Sequence, residues 1–264
     1  MKKRFKKKKQ KEITEFITSK QKSSITHRNS RITLDKFLGK KKNVRKDESI
    51  IKDKKNKKDE KLKKYQGIPL IISNYNTLIS LERTFGQKIP YNAKKGITRP
   101  FSFNVENGHI TELRLTKFSL KKFIRVKDLP EELGLLKSLK FFEIQLTDIS
   151  NLPKSFESLK SLEKIILRHN KLKNLPESFG LLKSLEFLDL NHNNLNILPE
   201  SFNQLSCLEF LDLSHNRISK IPSSFYKLQK LKILDISNNR IEELPSNFQD
   251  LKVLERIDLH NKTG

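Results

Sequence analysis

The most constraining feature of this sequence is a pattern that returns every 23 residues between Leu139 and Leu259. Six copies begin at leucines that keep this spacing without an insertion: Leu139, Leu162, Leu185, Leu208, Leu231 and Leu254. The first copy is degenerate and the last is incomplete. A fixed period of roughly 20 to 50 residues indicates stacked structural units. We therefore expect a solenoid in which each unit buries its apolar side against its neighbours.

The positions of the apolar residues predict how each unit is built. In the third copy, apolar residues occupy the first, fourth, sixth, eleventh, fourteenth and eighteenth positions of the unit: Leu185, Leu188, Leu190, Leu195, Leu198 and Phe202. The fourth and sixth are two residues apart, which is the spacing of a strand with one buried face. Stacking then places these strands side by side as a parallel sheet, with Leu188 and Leu190 inward and Phe187 and Asp189 outward.

The remaining fixed positions predict the turns. A short amide side chain recurs at the ninth place, where it can satisfy backbone groups as the chain leaves the strand, at Asn170, Asn193, Asn216 and Asn239. A Leu-Pro or Ile-Pro step follows, and proline opposes a long helix on the return side. We therefore expect a buried asparagine ladder and only a short helical turn around Phe179, Phe202, Phe225 and Phe248.

These residues resemble the leucine-rich repeat consensus LxxLxLxxNxLxxLPxxFxxLxx, over 139–259 firmly and over 110–138 less well. The Leu-Pro step makes them similar to intracellular leucine-rich repeat scaffolds that bind Ras. The resemblance implies an α/β solenoid with a parallel sheet on its concave face and short helical turns on its convex side. It also implies a protein-binding role, with a small GTPase or its regulator as a possible partner.

Charge separates the first 65 residues from the rest. They hold 26 Lys and Arg against 8 Asp and Glu, which is +18 of the chain's +25. These residues are also poor in apolar side chains, and this composition predicts a disordered Lys-rich arm over 1–65. Such an arm can bind nucleic acid or an anionic membrane, or only keep the chain in solution. Two patches, at 10–17 and 31–38, faintly resemble the sliding-clamp-binding peptide, and a transient amphipathic turn is the alternative.

A cap is predicted between the arm and the repeats, over 66–109. Spacing of apolar residues and Gly86 predict a helix at about 75–85, begun by an Asn or Ser. Asn107-Gly108, flanked by alternating residues, predicts a hairpin over 101–115. Its second strand supplies the first repeat, beginning at Ile110, so the repeat domain spans 110–264. The six surplus residues before Leu139 predict a loop at 121–128.

The sequence offers no enzyme chemistry. It has no phosphate-binding glycine loop and no paired metal-binding motif, so we predict no catalytic residue, cofactor or metal. His169, His192 and His215 recur at the eighth place and are expected as a solvated row rather than a metal site. The lone Cys207 and the lack of a signal peptide or apolar span predict a cytoplasmic protein.

The outward strand positions are the candidate binding surface. The third and fifth places of the last four repeats give an apolar column beside an acidic one: Phe187, Asp189, Phe210, Asp212, Ile233, Asp235, Arg256 and Asp258. This pairing predicts a protein partner with basic residues beside an apolar ridge, and a purely structural role is the alternative. Two other functions stay open: a nucleic-acid or clamp-associated protein that works through its arm, and the recognition half of an enzyme interrupted at Gly264.

Overall fold

A computed structural model describes residues 14–20, 61–92, 99, 101–116 and 126–260. Helix α1 spans 14–20. The cap then contains β1 (Leu62–Tyr65), β2 (Ile68–Ile71), α2 (Ile72–Phe85), β3 (Phe101–Glu106) and β4 (His109–Thr116). The predicted loop at 121–128 lies largely outside the described residues.

In the repeats a short strand begins each unit, and a 3-10 helix follows every strand from β4 to β9. The strands are β5 (Phe141–Gln145), β6 (Lys164–Ile166), β7 (Phe187–Asp189), β8 (Phe210–Asp212), β9 (Ile233–Asp235) and β10 (Arg256–Asp258). The 3-10 helices are Glu131–Leu135, Lys154–Ser158, Glu177–Leu181, Glu200–Gln204, Ser223–Lys227 and Phe248–Asp250. Each of the first five follows a proline, whose fixed φ suits the start of a helical turn.

One sheet of eight strands, in the order β3 to β10, joins the cap to the repeats. The pair β3 and β4 is antiparallel, and every pair from β4 to β10 is parallel. The solenoid with its parallel strands and short 3-10 turns is therefore confirmed. Because the period is constant, residues 23 apart face each other, as Leu188 faces Leu211.

The core consists of columns of similar residues that stack from repeat to repeat. Leu185, Leu188 and Leu190 have no solvent-accessible surface. On the 3-10 side, the rings of Phe179 and Phe202 stack with centroids 6.4 Å apart and planes 3° from parallel. Stacked units thus bury what a single unit cannot.

The cap differs from its prediction at its start. A hairpin of β1 and β2, turning at Gln66 and Gly67, precedes the helix, so the cap begins at Leu62 rather than at residue 66. Helix α2 begins at Ile72, three residues before the predicted 75, and ends at Gly86 in a left-handed conformation. Asn74 does not cap it. Its side chain is buried and accepts a 2.6 Å hydrogen bond from the Ile110 amide, which fixes the helix to β4.

Only part of the predicted arm is described. Its helix α1 covers the end of the patch at 10–17, and Phe16 and Ile17 pack against the main core. The patch at 31–38 and the rest of the arm up to residue 60 lie outside the described residues, as does the end of the last repeat at 261–264. The prediction of disorder therefore concerns residues that the structure does not describe.

The ninth-place asparagines connect successive repeats. The Asn193 amide nitrogen donates to the carbonyls of Leu167 and Leu190 at 2.9 and 3.0 Å, and its oxygen accepts from the Leu172 amide at 3.0 Å. Asn216 and Asn239 repeat this geometry one and two units later. Asn170 donates to Ile144 and accepts from Thr147. Each asparagine therefore satisfies backbone groups of two repeats at once.

We expect Asn193→Ala to lower the free energy of unfolding by about 1–3 kcal/mol, because the Leu172 amide would stay buried without its partner. The carbonyls of Leu167 and Leu190 would each lose one donor and keep the other, which comes from Asn170 and Asn216. Chemical denaturation of the full chain measures this. Asn203→Ala is a suitable control, since that amide donates to the Glu200 carbonyl at an exposed place in the same repeat. Equal stability of the two variants would contradict the role assigned to Asn193.

Candidate protein-binding surface

The sheet places the predicted site residues in two adjacent columns. Phe187 pairs with Phe210, Phe210 with Ile233, and Ile233 with Arg256. One pleat away, Asp189, Asp212, Asp235 and Asp258 form the second column. All eight predicted residues therefore lie on the same face of β7 to β10, opposite the leucine core.

The apolar column is a cluster of its own, separate from the main core. Phe141, Ile166, Phe187 and Phe210 form it, with Ile233 packed at its edge. The rings of Phe187 and Phe210 are stacked, with centroids 4.2 Å apart and planes 3° from parallel. Strand spacing explains this distance, since parallel neighbours lie about 4.8 Å apart.

The outward side chains are less accessible than their position suggests. Phe187 is 3% exposed, Phe210 6% and Asp189 7%. Exposure increases towards the last strands, where the outward residues are half-buried: Ile233, Asp235, Arg256 and Asp258. Phe187, Asp189 and Phe210 are thus buried, whereas Asp212 and the outward residues of β9 and β10 are half-buried, a difference that the sequence did not predict.

Each aspartate also accepts a local backbone hydrogen bond. The Asp189 carboxylate accepts from the Asn191 amide at 3.0 Å, and Asp212 and Asp235 accept from Ser214 and Ser237 at 2.9 Å. Such bonds to the amide two residues on form turns typical of aspartate. The signal was present in the sequence as Asp-x-Ser or Asp-x-Asn at the ends of the strands. Part of the acidic column is therefore explained by turn formation.

Burial makes these carboxyl groups hard to ionise. It raises the pKa of Asp189 to about 7, with the neighbouring Asp212 adding to the rise. The pKa of Asp235 is raised to about 6 by burial and by Asp212, and the pKa of Asp212 is raised by burial. A carboxylate removed from water and placed beside a like charge favours its proton.

Positive charge compensates one end of the acidic column. Arg114 lies 3.6 Å from Glu143, and its guanidinium sits over the Phe141 ring at 4.2 Å. Arg168 reaches Asp189 at 3.9 Å. The sequence did not predict the contacts of either arginine, because a contact with a neighbouring strand depends on the conformation of the side chain. In the described part of the chain, Asp212 and Asp235 have no ion pair.

The histidines form a stacked row. His169 and His192 have ring centroids 4.4 Å apart, and His192 and His215 4.0 Å apart. All three adopt left-handed backbone conformations, with φ between 53° and 56°. Parallel stacked rings point their nitrogens alongside one another rather than at a common point. Among the described residues no cluster suited to a metal ion occurs.

Two family profiles match this region. One, described as a leucine-rich repeat region, matches residues 184–264, and another, described as a leucine rich repeat, matches 137–195. A search of curated proteins found no match to the sequence. In the described chain no helix has the length and apolar content needed to cross a bilayer.

Two solved structures with TM-scores above 0.5 share the fold. The ectodomain of the receptor kinase SOBIR1 from Arabidopsis thaliana is 26% identical, with a TM-score of 0.53, over 67% of this chain and 97% of that one. The PEPR1–AtPEP1 complex is 24% identical, with a TM-score of 0.57, over 72% of this chain and 28% of that one. A Leptospira interrogans leucine-rich repeat protein is 30% identical, with a TM-score of 0.44, over 51% of this chain.

This chain spans 40% of the length of the Leptospira protein and 28% of the PEPR1 chain, but nearly all of the SOBIR1 ectodomain. The matched residues coincide with β5 to β10 and their 3-10 helices. Residues 137–264 of this chain therefore match leucine-rich repeat profiles, in the same part of the chain in which the strands and 3-10 helices repeat.

Proposed function

We propose that the face of β7 to β10 binds a protein segment that carries basic residues beside an aromatic or aliphatic side chain. The observation behind this proposal is that two columns of side chains lie next to each other. One contains the stacked rings of Phe187 and Phe210, and the other contains the carboxyl groups of Asp212 and Asp235. Leucine-rich repeat domains generally mediate protein–protein interaction, as in receptor ectodomains. The chain would then act by binding rather than by catalysis.

Electrostatics supports a basic partner. Carboxylates on neighbouring strands about 5 Å apart repel by roughly 3 kcal/mol at an effective dielectric constant of about 20. Asp189 forms an ion pair with Arg168, which reduces this repulsion. Asp212 and Asp235 form no ion pair with a described residue. A lysine or arginine of a partner would relieve it and hold these carboxylates ionised. The partner's apolar group would pack on the edges of the stacked rings.

The similarity of the repeats to Ras-binding scaffolds makes a small GTPase or its regulator a specific candidate for this partner. Within the proposal the protein works in the cytosol, which suits its one cysteine, Cys207. The chemistry of the surface requires only that the partner present a basic segment with an apolar side chain.

Peptide display against the immobilised full chain tests the proposal. We expect selected peptides to be rich in Lys and Arg flanking an aromatic residue. Asp212→Lys with Asp235→Lys, and separately Phe187→Ala with Phe210→Ala, should each weaken their binding at least tenfold, since a tenfold change needs only about 1.4 kcal/mol.

The matched control is Glu177→Lys with Glu200→Lys, which changes charge equally on the exposed 3-10 side. All variants should keep the circular dichroism of the parent. Peptides that bind both concave variants as well as they bind the parent would exclude this surface as the site.

A further inference from the structure

The turns that leave β6, β7 and β8 form a basic rim at the ends of these strands. The basic rim consists of the segments 168–174, 191–197 and 214–220, which together contain five Lys or Arg, three His and no Asp or Glu. The formal charge of these three turns is therefore entirely positive. It lies next to the acidic column, which belongs to the same strands.

Backbone hydrogen bonds hold the three turns in register. The His169 amide donates to the Asn191 carbonyl at 2.9 Å, and the Arg217 amide donates to the Leu195 carbonyl at 2.9 Å. Because each turn is bonded to the next, residues at equal places are about one strand spacing apart, roughly 4.8 Å. The basic rim is therefore a continuous surface and not three separate loops.

Three of the five basic side chains of the rim are not neutralised within the described chain. Arg168 lies 3.9 Å from Asp189, and Lys171 lies 2.7 Å from Asp148. The other three are exposed and form no ion pair with a described residue: Lys173, Arg217 and Lys220. Their charges are available to an anionic partner.

Hydrogen-bond donors lie between these charges. The middle turn contributes His192, Asn194 and Asn196, of which the first two are half-buried and the third is exposed. The His192 ring is held between its neighbours, with ring centroids 4.4 Å from His169 and 4.0 Å from His215. Imidazole and amide N–H groups donate to carboxylates, and hydrogen bonds to ionised groups are the stronger kind. The rim thus combines oriented donors with cations on either side.

The size of the rim fits an extended peptide. From the turn of Lys173 to the turn of Arg217 it crosses two strand spacings, about 10 Å, a distance that three residues of an extended chain span. Carboxylates at alternate places of such a chain lie on one face, about 7 Å apart, and can reach both ends of the rim.

Nucleic acid fits the rim less well. Asp189 and Asp212 precede His192 and His215 by three residues, so a duplex laid along the rim would bring its phosphates towards these carboxylates. Single-stranded nucleic acid binds largely by stacking its bases on aromatic ring faces. Both faces of the His192 ring are already covered by the neighbouring imidazoles.

We propose that the basic rim binds an extended acidic segment of a protein, whose Asp or Glu carboxylates contact Lys173, Arg217 and Lys220 and accept hydrogen bonds from the middle turn. This surface differs from the concave face in its residues and in its charge. A partner that carries a basic and an acidic segment can therefore bind both surfaces at once.

The experiment follows the backbone amide signals of the isotope-labelled full chain during titration with a synthetic octapeptide in which Glu alternates with Ser. We expect the largest shift changes in 168–174, 191–197 and 214–220. In the test variant, Lys173→Gln is combined with Arg217→Gln and Lys220→Gln, and the affinity read from these signals should fall about tenfold, because three charge-assisted contacts are lost together.

The matched control removes the same charge from three other exposed lysines in neighbouring repeats, before the strands: Lys137→Gln, Lys160→Gln and Lys183→Gln. It should bind the peptide as the parent does. An equal loss in control and test variant, or shift changes that avoid the rim, would overturn the proposal.

Two further titrations separate this proposal from its alternatives. Asp212→Lys with Asp235→Lys disables the proposed concave site and should not weaken binding of the Glu-Ser peptide, so either proposal can fail while the other stands. Loss of rim binding in that variant would contradict a separate surface. A DNA oligonucleotide that shifts the rim signals at lower concentration than the peptide does would show that the partner is nucleic acid, and the assignment to an acidic protein segment would be wrong.

Discussion

Replacing Leu188 by alanine is expected to lower the free energy of unfolding of the full chain by about 2–5 kcal/mol. Its side chain has no accessible surface and lies in the leucine column between Ile165 and Leu211. Truncation removes buried methyl groups and leaves a cavity that neighbouring repeats, fixed by their strand register, can fill only in part. Urea denaturation followed by circular dichroism measures the change.

The control for this prediction is Ile197→Ala, a truncation in the same repeat at a side chain that is 58% exposed. It should change stability by less than about 0.5 kcal/mol, as surface substitutions usually do. A Leu188 variant as stable as this control would mean that the inward and outward faces of the strand are exchanged.

The second large effect is a loss of stability as pH rises. Burial and the neighbouring Asp212 raise the pKa of Asp189 to about 7 in the folded chain. An unfolded aspartate titrates near about 3.9, so between these values the folded state holds a proton that the unfolded state has released. The stabilisation is therefore complete below about pH 4 and disappears as pH approaches about 7.

We expect Asp189→Asn to flatten this slope and to raise stability near about pH 8 by an amount on the order of 2 kcal/mol. Asparagine keeps an oxygen for the Asn191 amide and removes the repulsion with Asp212. Arg168 loses its ion pair with Asp189 but keeps its hydrogen bond to Gln145. Denaturation curves at several pH values provide the measurement. Asp250→Asn, on the 3-10 side, is the control and should follow the parent. A parent whose stability does not change between about pH 4 and 8 would contradict burial of this column.

The period determined most of what could be predicted about the fold. A constant spacing of 23 residues fixes which residues face each other, so the parallel sheet and its two outward columns follow from the sequence. Asn107-Gly108 likewise located the turn between β3 and β4. These features depend on the spacing of residues along the chain and on residues that favour a particular turn, and both can be read from a single sequence.

The missed features depend on contacts between distant residues. The β1–β2 hairpin turns at Gln66-Gly67 next to a Lys-rich stretch, and Tyr65 is buried because β1 packs beside α2 and its ring contacts Phe103 of β3. The Asn or Ser expected to begin the helix does not cap it, and the side-chain oxygen of Asn74 accepts a hydrogen bond from the Ile110 amide instead. The low exposure of Phe187, Asp189 and Phe210 was missed for the same reason, since accessibility depends on how neighbouring side chains pack together and not on the strand pattern alone.

Partner binding on the face of β7 to β10 is tested most directly by the change in backbone amide chemical shifts of the isotope-labelled full chain when a display-selected basic, aromatic peptide is added. We expect the largest changes in β7, β8 and β9, with the 3-10 helices unchanged. Changes concentrated in the groove between α2 and the first 3-10 helix, lined by Tyr75, Ile79 and Leu135, would contradict it.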